Sequence, residues 1–386
     1  MSLLTVDRDY LTRTLADLIR INSINPSLVP GGAGEAEIAA YVADALPRIG
    51  LDAATHEPEP GRISVVGKLK GRGGGQSLML NAHVDTVGIE NMPDPFSATI
   101  RDGRMYGRGA YDMKGSLAAC LTAAKALTDA GAALGGDLLV AAVADEEYAS
   151  VGTADVIKHY KVDAAVVTEA TELNICLAHK GFIWLEVETT GRAAHGSRFD
   201  EGIDANMRMG RFLAELEKLE KELRARKGHF LVGPPSLHAA TLTGGTELSM
   251  YAARCKLQIE RRTVPGETEA QVVGELQAII DRLATADPTF KATLKTLLVR
   301  APFSVAPEAA IVKAVGQAAS RVLSREPDYM GQPFWMDAAL LSAAGVETVV
   351  IGPIGAGAHA REEWVDLQSL ADLALILAQT AVEYCR

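Results

Sequence analysis

RISVVGKLKGRGGGQSLMLNAHVD (residues 62–85), followed by SLAACLTAAKALTDAG (116–131) and DLLVAAVADEE (137–147), decides the fold class. The first segment reads as two strands joined by a glycine-rich turn. The second reads as an apolar helix, and the third as a buried strand ending in acids. A strand, a helix and another strand in that order predict a parallel pair and an α/β domain, because the crossover helix packs back onto the sheet. A short helix and the strand DAAVVTEA (163–170) extend the pattern. Upstream, DRDYLTRTLADLIRI (7–21) and AEIAAYVADALPRIG (36–50) place apolar residues at helical spacing.

At Gly181 the style of the sequence changes. Strand FIWLEVETTG, helix DANMRMGRFLAELEKLEKELRARK, strands LHAATLTGG and RCKLQIERR, helix TEAQVVGELQAIIDRLATA and strand FKATLKTLLV follow in turn. That order is βαββαβ, an antiparallel sheet with helices on one face. Its first and last strands meet, so such a unit can be inserted into a loop of another domain. After Pro302 the chain returns to helices around AIVKAVGQAASRVLS and DAALLSAAG, a buried strand VETVVIG and a final helix over 366–384. The expected division is therefore residues 1–180 with 300–386 as one domain, built on a central, mostly parallel sheet, and residues 181–299 as an inserted second domain.

Composition narrows the partners. A chain of 386 residues, 48% hydrophobic and 23% charged, with 36 glycines, describes a globular enzyme of two or more domains. The formal net charge of −11 argues against nucleic acid or an anionic membrane, which recruit Lys and Arg in excess. Cys120, Cys176, Cys255 and Cys385 lie far apart with no CxxC, as expected for thiols in a reducing cytoplasm. Asp7 and Asp9 fall where a signal peptide would need a basic flank and an apolar run. The most apolar tracts are interrupted by charges, so no transmembrane helix is expected.

Acids and imidazoles gather where strands end, which is where open α/β sheets place ligands. His83 follows a buried strand, with Asp85 two residues on and able to orient the imidazole. Asp112 sits in GRGAYDMKGS before a helix; Glu146 and Glu147 end DLLVAAVADEE; Glu169 ends AAVVTEA; His359 lies in GAGAHAREEW. Singly, each has an ordinary reading: a core histidine, a helix-cap Asp, a solvated acidic rim. Together they form two imidazoles and three carboxylates, with one carboxylate to spare. That set suits paired divalent metal ions sharing a carboxylate, with the spare acid as general base.

AHVDT, GRGAYDMKG, ADEE, VVTEAT, HGS, ERRTVPGE and GAHAREEW, in this order across nearly the whole chain, resemble the M20 metallopeptidases. That family includes acetylornithine deacetylases, succinyl-diaminopimelate desuccinylases, aminoacylases and carboxypeptidases. The resemblance implies a zinc-peptidase-like catalytic domain and a ferredoxin-like lid and dimerisation domain, hence a homodimer. It implies two Zn²⁺ per subunit, with Co²⁺ or Mn²⁺ as substitutes. One metal would be held by His83, Asp112 and Glu169, the other by Asp112, Glu147 and His359. Glu146 would be the general base, with Asp85 orienting His83. His195, in HGS, would steady the developing oxyanion in the neighbouring subunit's site, and Arg262, in ERRTVPGE, would grip a substrate carboxylate. A polar loop histidine and a surface salt bridge are the plain alternatives for these two.

Two departures touch substrate choice. Ser249 stands in GGTELSMYAARC where many relatives carry Asn, and Met336 precedes Asp337 where Thr is common, beside Trp335. The implied reaction is amide hydrolysis of a small N-acyl amino acid, with a carboxypeptidase or dipeptidase as runner-up. A nucleotide-binding protein is disfavoured because GRGGG lacks the GK[ST] ending of a phosphate loop. A paralogue that only binds should lack a ligand or the base, and all six side chains are present.

Overall fold

The computed structural model describes residues 4–386. The chain divides into two units. One comprises the chain through Leu177, Val305–Met330 and Met336–Arg386; the other comprises Ala178–Ser304 with Gly331–Trp335. The short return of 331–335 to the second unit has no counterpart in the division expected from sequence.

In the first unit the sheet runs Asp52–Glu59, Arg62–Leu69, Leu138–Val143, Leu78–His83, Ala164–Val167, Glu347–Val350 and then the strand beginning at Ile175. The four strands from Leu138–Val143 to Glu347–Val350 are mutually parallel. Three of them, LLVAAV, LMLNAH and AAVV, are buried at every position, as strands covered on both faces by helices must be. The flanking strands are antiparallel, so the sheet is mixed around a parallel centre. Asp52–Glu59, not foreseen from sequence, forms an edge hairpin with Arg62–Leu69 through a turn at Gly61, whose φ of 80° suits glycine. Its residues DAATHEPE are largely exposed and include Pro58, which an edge tolerates.

Helix Gly115–Asp129 is buried almost all round and made of small residues, which lets the C-terminal helix Leu367–Tyr384 pack closely against it. The side chain of Asp366 caps that helix by accepting from the Ser369 N–H at 2.7 Å. A second small sheet joins Gly355–Ala356, Trp364–Asp366, Arg104–Tyr106 and Thr99–Arg101. These short strands escaped the sequence reading because two or three residues carry no periodicity. They fix the two loops that hold Asp112 and His359. Among the described residues, no helix is long and apolar enough to cross a membrane.

The second unit has the order βαββαβ: Gly181–Thr190, Ala205–Ala225, Ser236–Gly244, Arg254–Thr263, Glu269–Ala286 and Lys291–Arg300. Its sheet runs Ser236–Gly244, Arg254–Thr263, Gly181–Thr190, Lys291–Arg300, all antiparallel, so the first and last strands are neighbours. Leu185, Val187, Leu257 and Ile259 from the sheet meet Phe212, Leu216, Leu276 and Ile279 from the two helices. Thr268 and Gln271 form a reciprocal capping box at the start of the second helix.

Phe212 has no exposed surface in this core. Phe212→Ala is therefore expected to destabilise the second unit by about 3–5 kcal/mol, read from its denaturant transition; a loss under about 1 kcal/mol would mean the core is not packed as described.

Candidate metal centre

The parallel strands deliver the acids and imidazoles from their C-terminal ends. His83 is the last residue of Leu78–His83; Glu146 and Glu147 follow Leu138–Val143; Glu169 follows Ala164–Val167. Asp112 lies in the tight turn Ala110–Lys114 ahead of helix Gly115–Asp129, and the Asp112–Met113 peptide is cis. His359 lies between the short strands Gly355–Ala356 and Trp364–Asp366. Gly357 makes that loop possible: with φ of 87°, a Cβ there would collide with the carbonyl oxygen of Glu362.

Two triads result, His83–Asp112–Glu169 and Asp112–Glu147–His359, each with one donor atom per residue within 4.8 Å of the others. Asp112 belongs to both and divides its oxygens between them. Oδ1 lies 3.0 Å from His83 Nε2, and Oδ2 lies 3.4 Å from His359 Nε2. Glu169 Oε1 is 3.5 Å from His83 Nε2, and Glu147 Oε2 is 3.1 Å from His359 Nε2. Glu146, half-buried, is adjacent to Glu147 in the chain and electrostatically coupled to His83, Glu169, Asp337 and Glu147.

Charge in this pocket is unbalanced. Burial, then the Asp112 charge, pushes Glu147 up to about 7 and Glu169 up to about 8. Burial raises Glu146 well above the usual carboxylate range. Burial also opposes ionisation of Asp112, but contacts with His359 and His83 outweigh it and hold that carboxyl far below its ordinary value. Contacts with Asp112 and Glu147 push His359 up to about 10. Burial works against a charged His83, yet Asp112 and Asp85 still raise its pKa well above the histidine range. The imidazoles and carboxyls thus hold protons because the site wants positive charge. Glu147 Oε1 is buried without a hydrogen-bond partner. Oxygen and imidazole donors with one carboxylate shared between two triads fit a pair of divalent ions.

Asp85 meets His83 mainly through its main chain. His83 Nδ1 is 3.0 Å from the Asp85 carbonyl oxygen and 3.5 Å from its carboxylate. The carboxylate instead accepts from the N–H groups of Glu146 and Glu147, at 3.0 and 3.2 Å, and from Asn25 Nδ2 at 2.8 Å. Asp85 therefore also fixes the backbone that presents the two glutamates.

Several functional neighbours have no signal in the sequence. Asn25 Nδ2 also donates to Asp145 at 3.0 Å, and its Oδ1 accepts from Arg62 at 2.8 Å. Arg62 pairs with Glu35 at 2.7 Å and Asp145 at 3.2 Å, all buried. Glu363 accepts from Arg108 at 2.7 Å and from the backbone N–H groups of Gly109, Tyr111 and Asp112 at 2.9–3.0 Å, clamping the turn that carries Asp112. Asp337 is buried, accepts from Thr153 Oγ1 at 2.5 Å, and is pushed up to about 6 by burial. The adjacent Met336 is fully buried.

His195, Ser249 and Arg262 belong to the second unit. The first two are brought together: Gly196 N–H donates to the Ser249 carbonyl at 2.6 Å, and His195 forms an isolated bridge with Met250. His195 is exposed, its Nδ1 2.8 Å from Ser197 Oγ. Arg262 lies on strand Arg254–Thr263, its Nε donating to Glu260 at 2.7 Å and its guanidinium over the Phe182 ring. Trp335 Nε1 donates to the Ala301 carbonyl at 3.1 Å.

Residues 79–383 match the profile of peptidase family M20/M25/M40. A Bacillus subtilis N-formyl-4-amino-5-aminomethyl-2-methylpyrimidine deformylase is 28% identical over 380 residues, covering 90% of this chain and 89% of that protein. A Myxococcus xanthus acetylornithine deacetylase is 28% identical over 331 residues, covering 84% of each. Among solved structures, a Bacillus subtilis dinuclear metal-binding peptidase of the M20 family superposes with a TM-score of 0.77 at 17% identity, over 98% of each chain. The chain belongs to peptidase family M20/M25/M40 and is a metal-dependent hydrolase of that family.

Two outcomes follow from the site. Glu363→Gln strips the charge opposite buried Arg108 and should cost about 3–5 kcal/mol; denaturant unfolding within about 1 kcal/mol of wild type would contradict the clamp. Glu147, Glu169 and His359 all have folded pKa values raised above their unfolded ones, so their stabilisation is present at low pH and lost as pH rises through about 7 to 10. Metal-free protein should therefore melt at progressively lower temperature as pH climbs from about 6 to about 9, and divalent metal should flatten the profile; a rising melting temperature in chelator would refute this charge balance.

Proposed function

We propose that this M20-family chain hydrolyses the amide bond of a small N-acyl amino compound, an acetylated or formylated amino acid in the first instance. The observation that carries the reading is Asp112, whose two oxygens face two separate imidazoles. His83, Asp112 and Glu169 would hold one Zn²⁺, and Asp112, Glu147 and His359 the other, with Co²⁺ or Mn²⁺ as substitutes. When bound, the two ions supply positive charge that acidifies water and polarises the scissile carbonyl. The full-length deformylase and deacetylase relatives, both acting on short acyl amides by name, favour deacylation over peptide cleavage.

Glu146 is the proton carrier. It takes the proton of the attacking water and delivers it to the departing amine nitrogen, a double role that suits a carboxylate whose pKa burial has raised well above its ordinary range. Asp85 keeps Glu146 and Glu147 in register by accepting their N–H groups. Asp112 stays ionised as the shared ligand, while Glu363 holds its turn. His195 steadies the oxyanion, and Arg262 takes the substrate carboxylate, with Ser249 beside the histidine loop as a further substrate-binding position. The βαββαβ unit serves as lid and dimerisation element, so the working form is a homodimer. The four cysteines, all free and buried, suit a reducing cytoplasm.

A carboxypeptidase or dipeptidase is the second reading, favoured by the fold shared with an M20 family metallo-carboxypeptidase from Sulfolobus solfataricus, at a TM-score of 0.76 and 20% identity over 97% of this chain and 99% of that one. Purified protein with added Zn²⁺ or Co²⁺ should cleave N-acetyl and N-formyl amino acids with kcat/KM at least tenfold above that for dipeptides; the reverse order would move the assignment to peptidase. Glu146→Gln should keep both metals but lower kcat by about 10²–10⁴-fold, and near wild-type turnover would remove Glu146 from its role. His195→Ala should lower kcat with metal content unchanged.

A further inference from the structure

A second cluster of metal-binding side chains lies on the first unit, sharing no residue with the centre above. His56 comes from edge strand Asp52–Glu59; Asp155 and His159 come from helix Val151–His159. One donor atom from each lies within 4.8 Å of the other two. Asp155 and His159 are four residues apart, so both project from one helical face, and Asp155 Oδ2 lies 3.3 Å from His159 Nε2. His56 reaches the same point from the strand. Its ring stacks on that of His159 with centroids 4.7 Å apart, and its Nε2 lies 3.0 Å from the Tyr160 hydroxyl.

We propose that His56, Asp155 and His159 form a separate surface site for a borderline divalent cation such as Zn²⁺, Ni²⁺ or Cu²⁺. Two imidazoles and one carboxylate select such ions over Mg²⁺ or Ca²⁺, which demand oxygen donors. Three protein ligands on a half-exposed surface leave room for water to complete the coordination. The Tyr160 hydroxyl fixes the His56 ring, as hydrogen-bonded partners of ligating histidines do. Burial, then the neighbouring His159 charge, holds the His56 pKa below the ordinary histidine value, so this ring meets a metal without a proton to displace. Lys158 competes weakly: its Nζ lies 3.4 Å from the other Asp155 oxygen, but the lysine is largely exposed and such a contact is easily given up.

Location gives the site a consequence. Helix Val151–His159 begins just after the segment carrying Glu146, Glu147 and Ser150, and strand Asp52–Glu59 pairs with Arg62–Leu69, the strand that carries Arg62. A cation joining His56 to His159 ties the far end of that helix to the sheet edge. It stabilises the folded chain without contacting the hydrolytic centre.

The test is metal stoichiometry at buffered free Zn²⁺, by dialysis and mass spectrometry, for wild type, His56→Ala and His159→Ala. Wild type should retain one Zn²⁺ per chain more than either variant, whatever the content of the hydrolytic centre. With the hydrolytic centre first filled with Zn²⁺, added Cu²⁺ should give wild type a nitrogen-coupled electron paramagnetic signal that both variants lose or show with one nitrogen fewer. Hydrolytic kcat/KM should be unchanged in both. Should either alanine variant be less stable in chelator, Asp155→Asn, which keeps shape and size, carries the comparison by at least tenfold weaker Zn²⁺ retention. Equal stoichiometry and identical Cu²⁺ spectra across all these proteins would overturn the site.

Discussion

The shared carboxylate of Asp112 is the constraint on which the first unit is organised. A single side chain offers Oδ1 to His83 and Oδ2 to His359, residues 276 positions apart in the chain. To present both oxygens, the turn Ala110–Lys114 must sit between the end of a central strand and a loop from the far C-terminal region. Glu363 secures this by taking the backbone N–H groups of Tyr111 and Asp112 in that turn and of Gly109 just before it. The same residue anchors buried Arg108, and belongs to the loop bearing His359. One buried ion pair thus locks both approaches to Asp112, and its desolvation cost is offset by complete hydrogen bonding of Glu363.

Behind the pocket, a chain of buried polar groups runs Glu35, Arg62, Asp145 and Asn25 to Asp85. It has a clear physical purpose. Asp85 accepts the N–H groups of Glu146 and Glu147, so its position sets theirs. A carboxylate held by several donors is a rigid fixture, and the single Arg62 guanidinium faces Glu35 and Asp145 together, so burial still pushes Glu35 up to about 7 and raises Asp145. The flexible alternatives are removed: the two glutamates can face the pocket only in the register that Asp85 allows.

Much of this was legible before any coordinates. The strands LLVAAV, LMLNAH and AAVV announce a sheet covered on both faces, and acids at their C-terminal ends announce a ligand site, because an ionised group there needs a partner. The βαββαβ order and the adjacency of its outer strands followed from the alternation of periods 2 and 3.6. Edge strand Asp52–Glu59 was illegible because it is polar on both sides, and strands of two or three residues carry no period at all.

The supporting residues were illegible for a different reason. Glu363 looks like one more surface acid in HAREEW, and Arg62 and Asn25 like ordinary polar residues at the start of a strand and in a turn. Their roles depend on partners 255, 83 and 60 positions distant, brought close only by the fold. Candidate ligand residues betray themselves locally, since a charge at a buried strand end is anomalous wherever it occurs. A residue that satisfies another residue's hydrogen bonds is anomalous only once both are in place, so sequence exposes the reactive groups and hides the framework that aims them.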